Sequence, residues 1–107
     1  MNKGAPETIF NAIAWASSPV KRQYKGYNAL LVHHYMTGVT SGGYISLKMG
    51  GSENGQFIAH HGKGTNIKSA NVNASYTCLF EGIMDWVEIT LNRTDGTHTV
   101  IIQPINI

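Results

Sequence analysis

Five histidines in 107 residues are the side chains of this sequence best suited to chemistry, and they fall as His33-His34, His60-His61 and His98. Imidazole nitrogens ligate zinc, nickel, copper and iron, but the ligands must converge within about 2 Å of one ion. Neighbouring residues on a strand point to opposite faces. At most one of His33 and His34, and one of His60 and His61, can therefore share a site with His98. A three-histidine site of that kind is geometrically allowed. The spacing adds no support for it: there is no His-x-His, and the carboxylates lie elsewhere. Strand-end or surface histidines are the expectation, with no metal and no cofactor.

Other catalytic constellations fare no better. Glu81, Asp85 and Glu88 are the one acidic cluster, and on a regular strand Asp85 and Glu88 face opposite sides, which argues against paired acid–base work. No Gly-x-Ser-x-Gly elbow, phosphate loop or His-Glu-x-x-His occurs. Gly42-Gly43 and Gly50-Gly51 lack the lysine and following helix of a phosphate cradle. Cys78, the single cysteine, sits in an apolar strand and reads as a small buried hydrophobe. The chain reads as a non-enzyme. Its remaining chemistry is aromatic: Trp15, Tyr24, Tyr27, Tyr35, Tyr44 and Trp86 include several that alternation places outside a core. Flat rings of that kind bind sugars and anchor protein interfaces. Tyr24, Tyr27, Tyr44 and Trp86, with Ile105 and Ile107, are the candidate partner contacts.

Composition narrows the partner. Charged residues make up 13% of the chain, against about 25% in an average soluble domain, while Gly, Ser, Thr and Asn supply 37 residues. A surface poor in charge suits a protein covered in an assembly. With a net charge of +2 and no basic cluster beyond Lys21, Arg22 and Lys25, nucleic-acid binding is not expected. Neither a signal peptide nor a membrane-spanning apolar run of about twenty residues is seen, so synthesis in a cytoplasm and no membrane partner are expected.

The elements that must position these residues are short strands. Val87, Ile89 and Leu91 alternate with Glu88, Thr90 and Asn92, and His98 to Gln103 continues the alternation beyond Thr94-Asp95-Gly96-Thr97. Asp-Gly suits a two-residue turn with positive φ, so the chain is expected to end in an antiparallel hairpin. Tyr44 to Met49 alternates cleanly and precedes a second turn containing Asn54-Gly55, with a strand over 56–60 after it. Tyr27 to Thr37 reads as a central strand buried on both faces. Residues 8–16 read as a strand, on Thr8, Ile9, Phe10 and Ile13, with a short helix as the alternative on Ala12, Ala14 and Ala16; 65–70 read as a weak strand and 75–80 as a better one. Turns recurring between such runs predict an all-β, single-domain antiparallel β-sandwich or jelly roll. The expected core is Leu30, Val32, Ile45, Leu47, Phe57, Leu79, Val87, Ile89, Leu91, Val100 and Ile102. Residues 1–7 are expected as an N-terminal arm, 8–103 as the β-sandwich domain, and 104–107 as a C-terminal tail in which Pro104 ends ladder pairing. Ile105 and Ile107 then need cover, from the domain or from a neighbouring subunit.

From Tyr27 onward the order of elements resembles the head decoration or cement proteins of tailed bacteriophages. The resembling features are Ala29-Leu30-Leu31-Val32, then a Gly-rich turn with Tyr44-Ile45-Ser46-Leu47 and an Asn-Gly turn. Phe80-Glu81-Gly82 then leads into Asp85 to Leu91, with the Asp95-Gly96 turn and Thr99 to Pro104 closing the chain. The resemblance implies a non-enzymatic virion protein that binds the outside of an icosahedral capsid in many copies. Its partners would be the major capsid protein and its own copies, as dimers or trimers. The alternative is a carbohydrate- or receptor-binding β-sandwich module of a phage tail or fibre.

Overall fold

Alternation of apolar and polar residues becomes, in the computed structural model, ten strands and no helix among the described residues. These are residues 2–14, 19–40, 43–60, 65–67, 72–91 and 95–107. The strands are β1 (Asn2–Lys3), β2 (Glu7–Ile13), β3 (Val20–Gln23), β4 (Ala29–Val39), β5 (Gly43–Gly50), β6 (Ile58–Ala59), β7 (Thr65–Ile67), β8 (Val72–Glu81), β9 (Trp86–Leu91) and β10 (Thr97–Asn106). One sheet runs β1-β10-β4-β8 with β2 also on β10, and the other runs β3-β9-β5-β6 with β7 also on β5. Every pairing is antiparallel.

The pairing is that of a jelly roll. Set aside the two-residue strands β1 and β6, and the remaining chain is one long ribbon folded at its middle. β2 pairs with β10, β3 with β9, β4 with β8, and β5 with β7. Rolling that ribbon puts successive pairs in opposite sheets and brings β10 beside β4 and β9 beside β5.

That topology corrects the expected C-terminal hairpin. β9 and β10 lie in different sheets, so Asp95-Gly96 carries the chain across the sandwich. Only Gly96 of the two has positive φ, +76°, and a Cβ there would stand 2.5 Å from the Thr37 carbonyl oxygen. The Asp95 carboxylate accepts from the Thr40 backbone N–H at 2.8 Å and from the Thr40 hydroxyl. The turn is thus built against the end of β4, where a side chain would collide with backbone. The Asn54-Gly55 turn does close a hairpin, β5 with β6, although regular pairing there covers only Ile58–Ala59.

The core lies between the sheets. Leu30, Val32, Ile45, Leu47, Val87, Ile89, Leu91, Val100 and Ile102 are buried as expected, joined by Phe10, Tyr24, Met36, Val39 and Phe80. Two expected members are elsewhere. Phe57 is half-buried, its ring under the Lys21 ammonium at 4.9 Å. Leu79 is 46% exposed because β8 turns Tyr76, Cys78 and Phe80 inward. Nor is β4 buried on both faces: Leu30, Val32, His34 and Met36 face in, while Tyr35 is 48% exposed.

The arms are extended, yet both are paired within the chain. Asn2 and Lys3 lie opposite Asn106 and Ile105. Pro104 does not end the ladder: it lies opposite Leu30 and is buried. It lacks an N–H to donate, but its carbonyl still takes part in the edge pairing, accepting from the Gly4 N–H at 2.8 Å.

Candidate interaction face

β4, β8 and β10 each send every second side chain outward, and the registers line these up in rows. Gln103, Leu31 and Leu79 form one row. Ile101, His33 and Thr77 form the next, continued by Thr8 of β2. Thr99, Tyr35 and Ser75 form a third. No Asp, Glu, Lys or Arg occurs in the three rows. Leu31 and Ile101 are half-buried, while Leu79 and Tyr35 stand out at 46% and 48% exposure. His33 and Thr77 bond to each other through Nδ1 and Oγ1, 3.0 Å apart. Such a face is apolar where it protrudes and neutral elsewhere, so it can dry out against a partner without stranding a charge.

The outer face of the other sheet is its opposite. There the register sets Lys21, Glu88 and Lys48 side by side, and Ser46 beside Thr90. Alternating charge of that kind suits water. The two faces of one small sandwich therefore differ in character.

His33 and His34 split as strand alternation requires, but not to the expected places. His33 faces out. His34 and His98 are both fully buried, against the expectation of strand-end or surface positions. The signal was in the sequence: His34 shares the inward parity of Leu30, Val32 and Met36, and His98 that of Val100 and Ile102. Their rings meet, His34 Nε2 to His98 Nδ1 at 2.9 Å, and His98 Nε2 lies 2.7 Å from the Asp95 carbonyl oxygen. A carbonyl only accepts, so His98 carries its proton on Nε2. His98 Nδ1 is then the acceptor, and His34 donates to it from Nε2. His34 Nδ1 is left as a buried acceptor with no partner among the described residues. Burial first, and the neighbouring His98 second, push the His34 imidazole down from 6.5 to about 4. His60 is not brought to this pair: its ring sits edge-on to Phe80 and its Nε2 donates to the Glu81 carbonyl at 2.6 Å. His61 lies outside the described residues. Among the described residues no three His, Cys, Asp or Glu side chains converge.

The candidate contacts scatter. Tyr24 is buried at 7% exposure, with its hydroxyl unpartnered among the described residues. Burial, with a smaller push from Glu7 that Arg22 opposes, raises its phenol to about 12. It is core, not surface. Tyr27 is half-buried and lines a shallow groove of about 420 Å³ with Lys3, Lys25, Gly26 and Asn106. Trp86 is half-buried on the charged sheet, across from Gln23 and Gly50. The Tyr44 side chain and Trp15 lie outside the described residues. Ile105 is 1% exposed and so is covered by the chain itself, whereas Ile107 is 56% exposed. Sequence reasoning named Tyr35 only in passing and missed Leu31, Leu79 and Ile101, because their significance comes from register across three strands. Compared with protein-family models, with curated proteins and with solved structures, the chain matches none.

Proposed function

We propose that this chain is a non-enzymatic structural protein that decorates or cements an icosahedral phage capsid, seating the three uncharged rows on the outer face of its β2-β10-β4-β8 sheet against the major capsid protein. The observation that carries the reading is the contrast between the two outer faces. Tyr35 and Leu79 protrude, beside half-buried Leu31 and Ile101, from rows without a charge, and Lys21, Lys48 and Glu88 occupy the other side. Three adjoining neutral rows offer contact area without a pocket, as a shell-binding protein needs. The low charge of the chain and the order of its strands support the same reading.

The test is co-sedimentation of the purified chain with undecorated shells of the virus that encodes it. Leu79→Lys places a charge on the most exposed apolar residue of the β8 edge of the contact rows and is expected to abolish shell binding while leaving the thermal midpoint within about a degree or two, as for an ordinary surface site. Thr90→Lys, on the opposite sheet, should bind as the parent does. Binding that survives Leu79→Lys, or a parent chain that ignores the shells, overturns the reading. Saturable binding of an oligosaccharide that Tyr35→Ala removes would put the carbohydrate-binding alternative in its place, since Tyr35 stands exposed between Thr99 and Ser75.

A further inference from the structure

We propose that His34, His98 and Asp95 form an acid-released latch that holds one end of the roll shut. The latch begins in the core and ends at the surface. His34 donates to His98, His98 donates to the Asp95 carbonyl, and the Asp95 carboxylate grips the Thr40 backbone N–H just past β4. The turn that carries Asp95 also presses Gly96 against Thr37 so closely that no side chain fits between them. One hydrogen-bonded chain thus joins β4, β10 and the connection entering β10.

An added proton has no comfortable place in this chain. On His34 Nδ1 it makes a cation inside an apolar core. On His98 Nδ1 it sets two N–H donors facing each other across 2.9 Å. Among the described residues no carboxylate waits to receive either cation. On β8 the inward titratable groups are Tyr76 and Cys78, and on β10 His98 is the only one. The opposite sheet turns Ile45, Leu47, Met49, Val87, Ile89 and Leu91 inward, none of which titrates. Tyr24 follows β3, the Glu7–Arg22 pair bridges β2 and β3, and His60 packs on Phe80. Asp95 spends its carboxylate on Thr40.

The sign follows from the two protonation states. The closed form keeps His34 neutral down to about 4, while an opened or unfolded form takes the proton near 6.5. The stabilisation is therefore complete above about 6.5 and is lost as pH falls toward 4, by up to roughly tenfold in the opening equilibrium per pH unit for one proton. Opening hydrates the imidazoles and frees Asp95, so the loops at this end rearrange while the ladders around Phe80 and Val87 stay closed.

The experiment is nuclear magnetic resonance on the full chain between pH 7.5 and 4. Histidine-selective nitrogen spectra read tautomer and titration, and amide exchange reads protection at Thr40 and Gly96 against Arg22 and Val87 as distant references. Expected are Nε2-protonated His34 and His98 at pH 7.5, no His34 titration near 6.5, and protection at Thr40 and Gly96 that falls with pH while the references hold. His34→Gln keeps an amide donor toward His98, can turn its oxygen to a protonated His98, and does not titrate. It should flatten the pH dependence at Thr40. The variant differs from the parent only at the histidine pair, so the comparison isolates it. The proposal is overturned by an Nδ1-protonated His34, by His34 titrating near 6.5, by pH-independent protection at Thr40, or by an equal fall in His34→Gln. Should that variant not fold, the wild-type tautomers and titration decide alone.

Discussion

At the scale of single residues, position within the alternation decides what each side chain contributes. Ile89 is completely buried between neighbours on β3 and β5, with Val20 and Leu47 as its ladder partners. Ile89→Ala removes three carbons from that place and is expected to lower unfolding free energy by about 2–5 kcal/mol. Chemical denaturation measures this, and a loss under about 0.5 kcal/mol would mean that the residue faces water. Gly96 answers to a different constraint. Its φ of +76° and the Thr37 oxygen 2.5 Å from where a Cβ would stand make Gly96→Ala both strained and crowded. About 1–3 kcal/mol is expected from the backbone strain, whereas Gly38→Ala, also at positive φ but with open space around it, should lose only the conformational part. Equal losses at the two glycines would count against the close approach to Thr37.

At the scale of elements, the ends of the chain are held by strand pairing. Pro104 and Ile105 are buried opposite Leu30 and Ala29, while the Asn28 backbone N–H donates to Asn106 Oδ1 and its side-chain amide both donates to and accepts from the Ile107 backbone. Gly4 must stay small because a Cβ would meet Pro104 at 2.7 Å and the Tyr27 hydroxyl at 2.9 Å. Deleting residues 104–107 is therefore expected to destabilise the isolated domain, since fully burying one Ile alone is worth about 1.5–3 kcal/mol. An unchanged thermal midpoint would instead return the tail to the role of a free staple. The sequence made strands legible wherever apolar and polar residues took turns, as in Tyr44 to Met49 and Trp86 to Leu91. It made pairing far less so. Asp95-Gly96 carries the local signal of a hairpin, but the chain there crosses between sheets, and nothing within five residues says which strand comes next. Parity failed at Cys78-Leu79-Phe80, where three apolar residues in a row leave either face possible. The contact face was illegible for the same reason, since Leu31, Leu79 and Ile101 become neighbours only through two registers. The buried histidines could have been read from parity alone.

At the scale of the whole molecule, the sandwich is asymmetric, with charge on one outer face and protruding apolar groups on the other. A net charge of +2 gives a free chain little long-range repulsion to keep such faces apart. Weak self-association through the β2-β10-β4-β8 face is expected at high concentration, and its response to salt separates the two faces. Contact between charged rows weakens as ionic strength rises from about 0.05 to about 0.5 M, where screening is nearly complete over about 5 Å. Contact through Leu31, Tyr35, Leu79 and Ile101 should hold or strengthen over that range, because salt does not screen apolar burial. Sedimentation velocity across a concentration series measures it directly. Leu79→Lys should suppress the association, and Lys48→Glu, on the other sheet, should leave it in place. Association that disappears with salt, or that follows Lys48 and ignores Leu79, would assign the contact to the charged face and reverse the orientation in which the domain meets its partners.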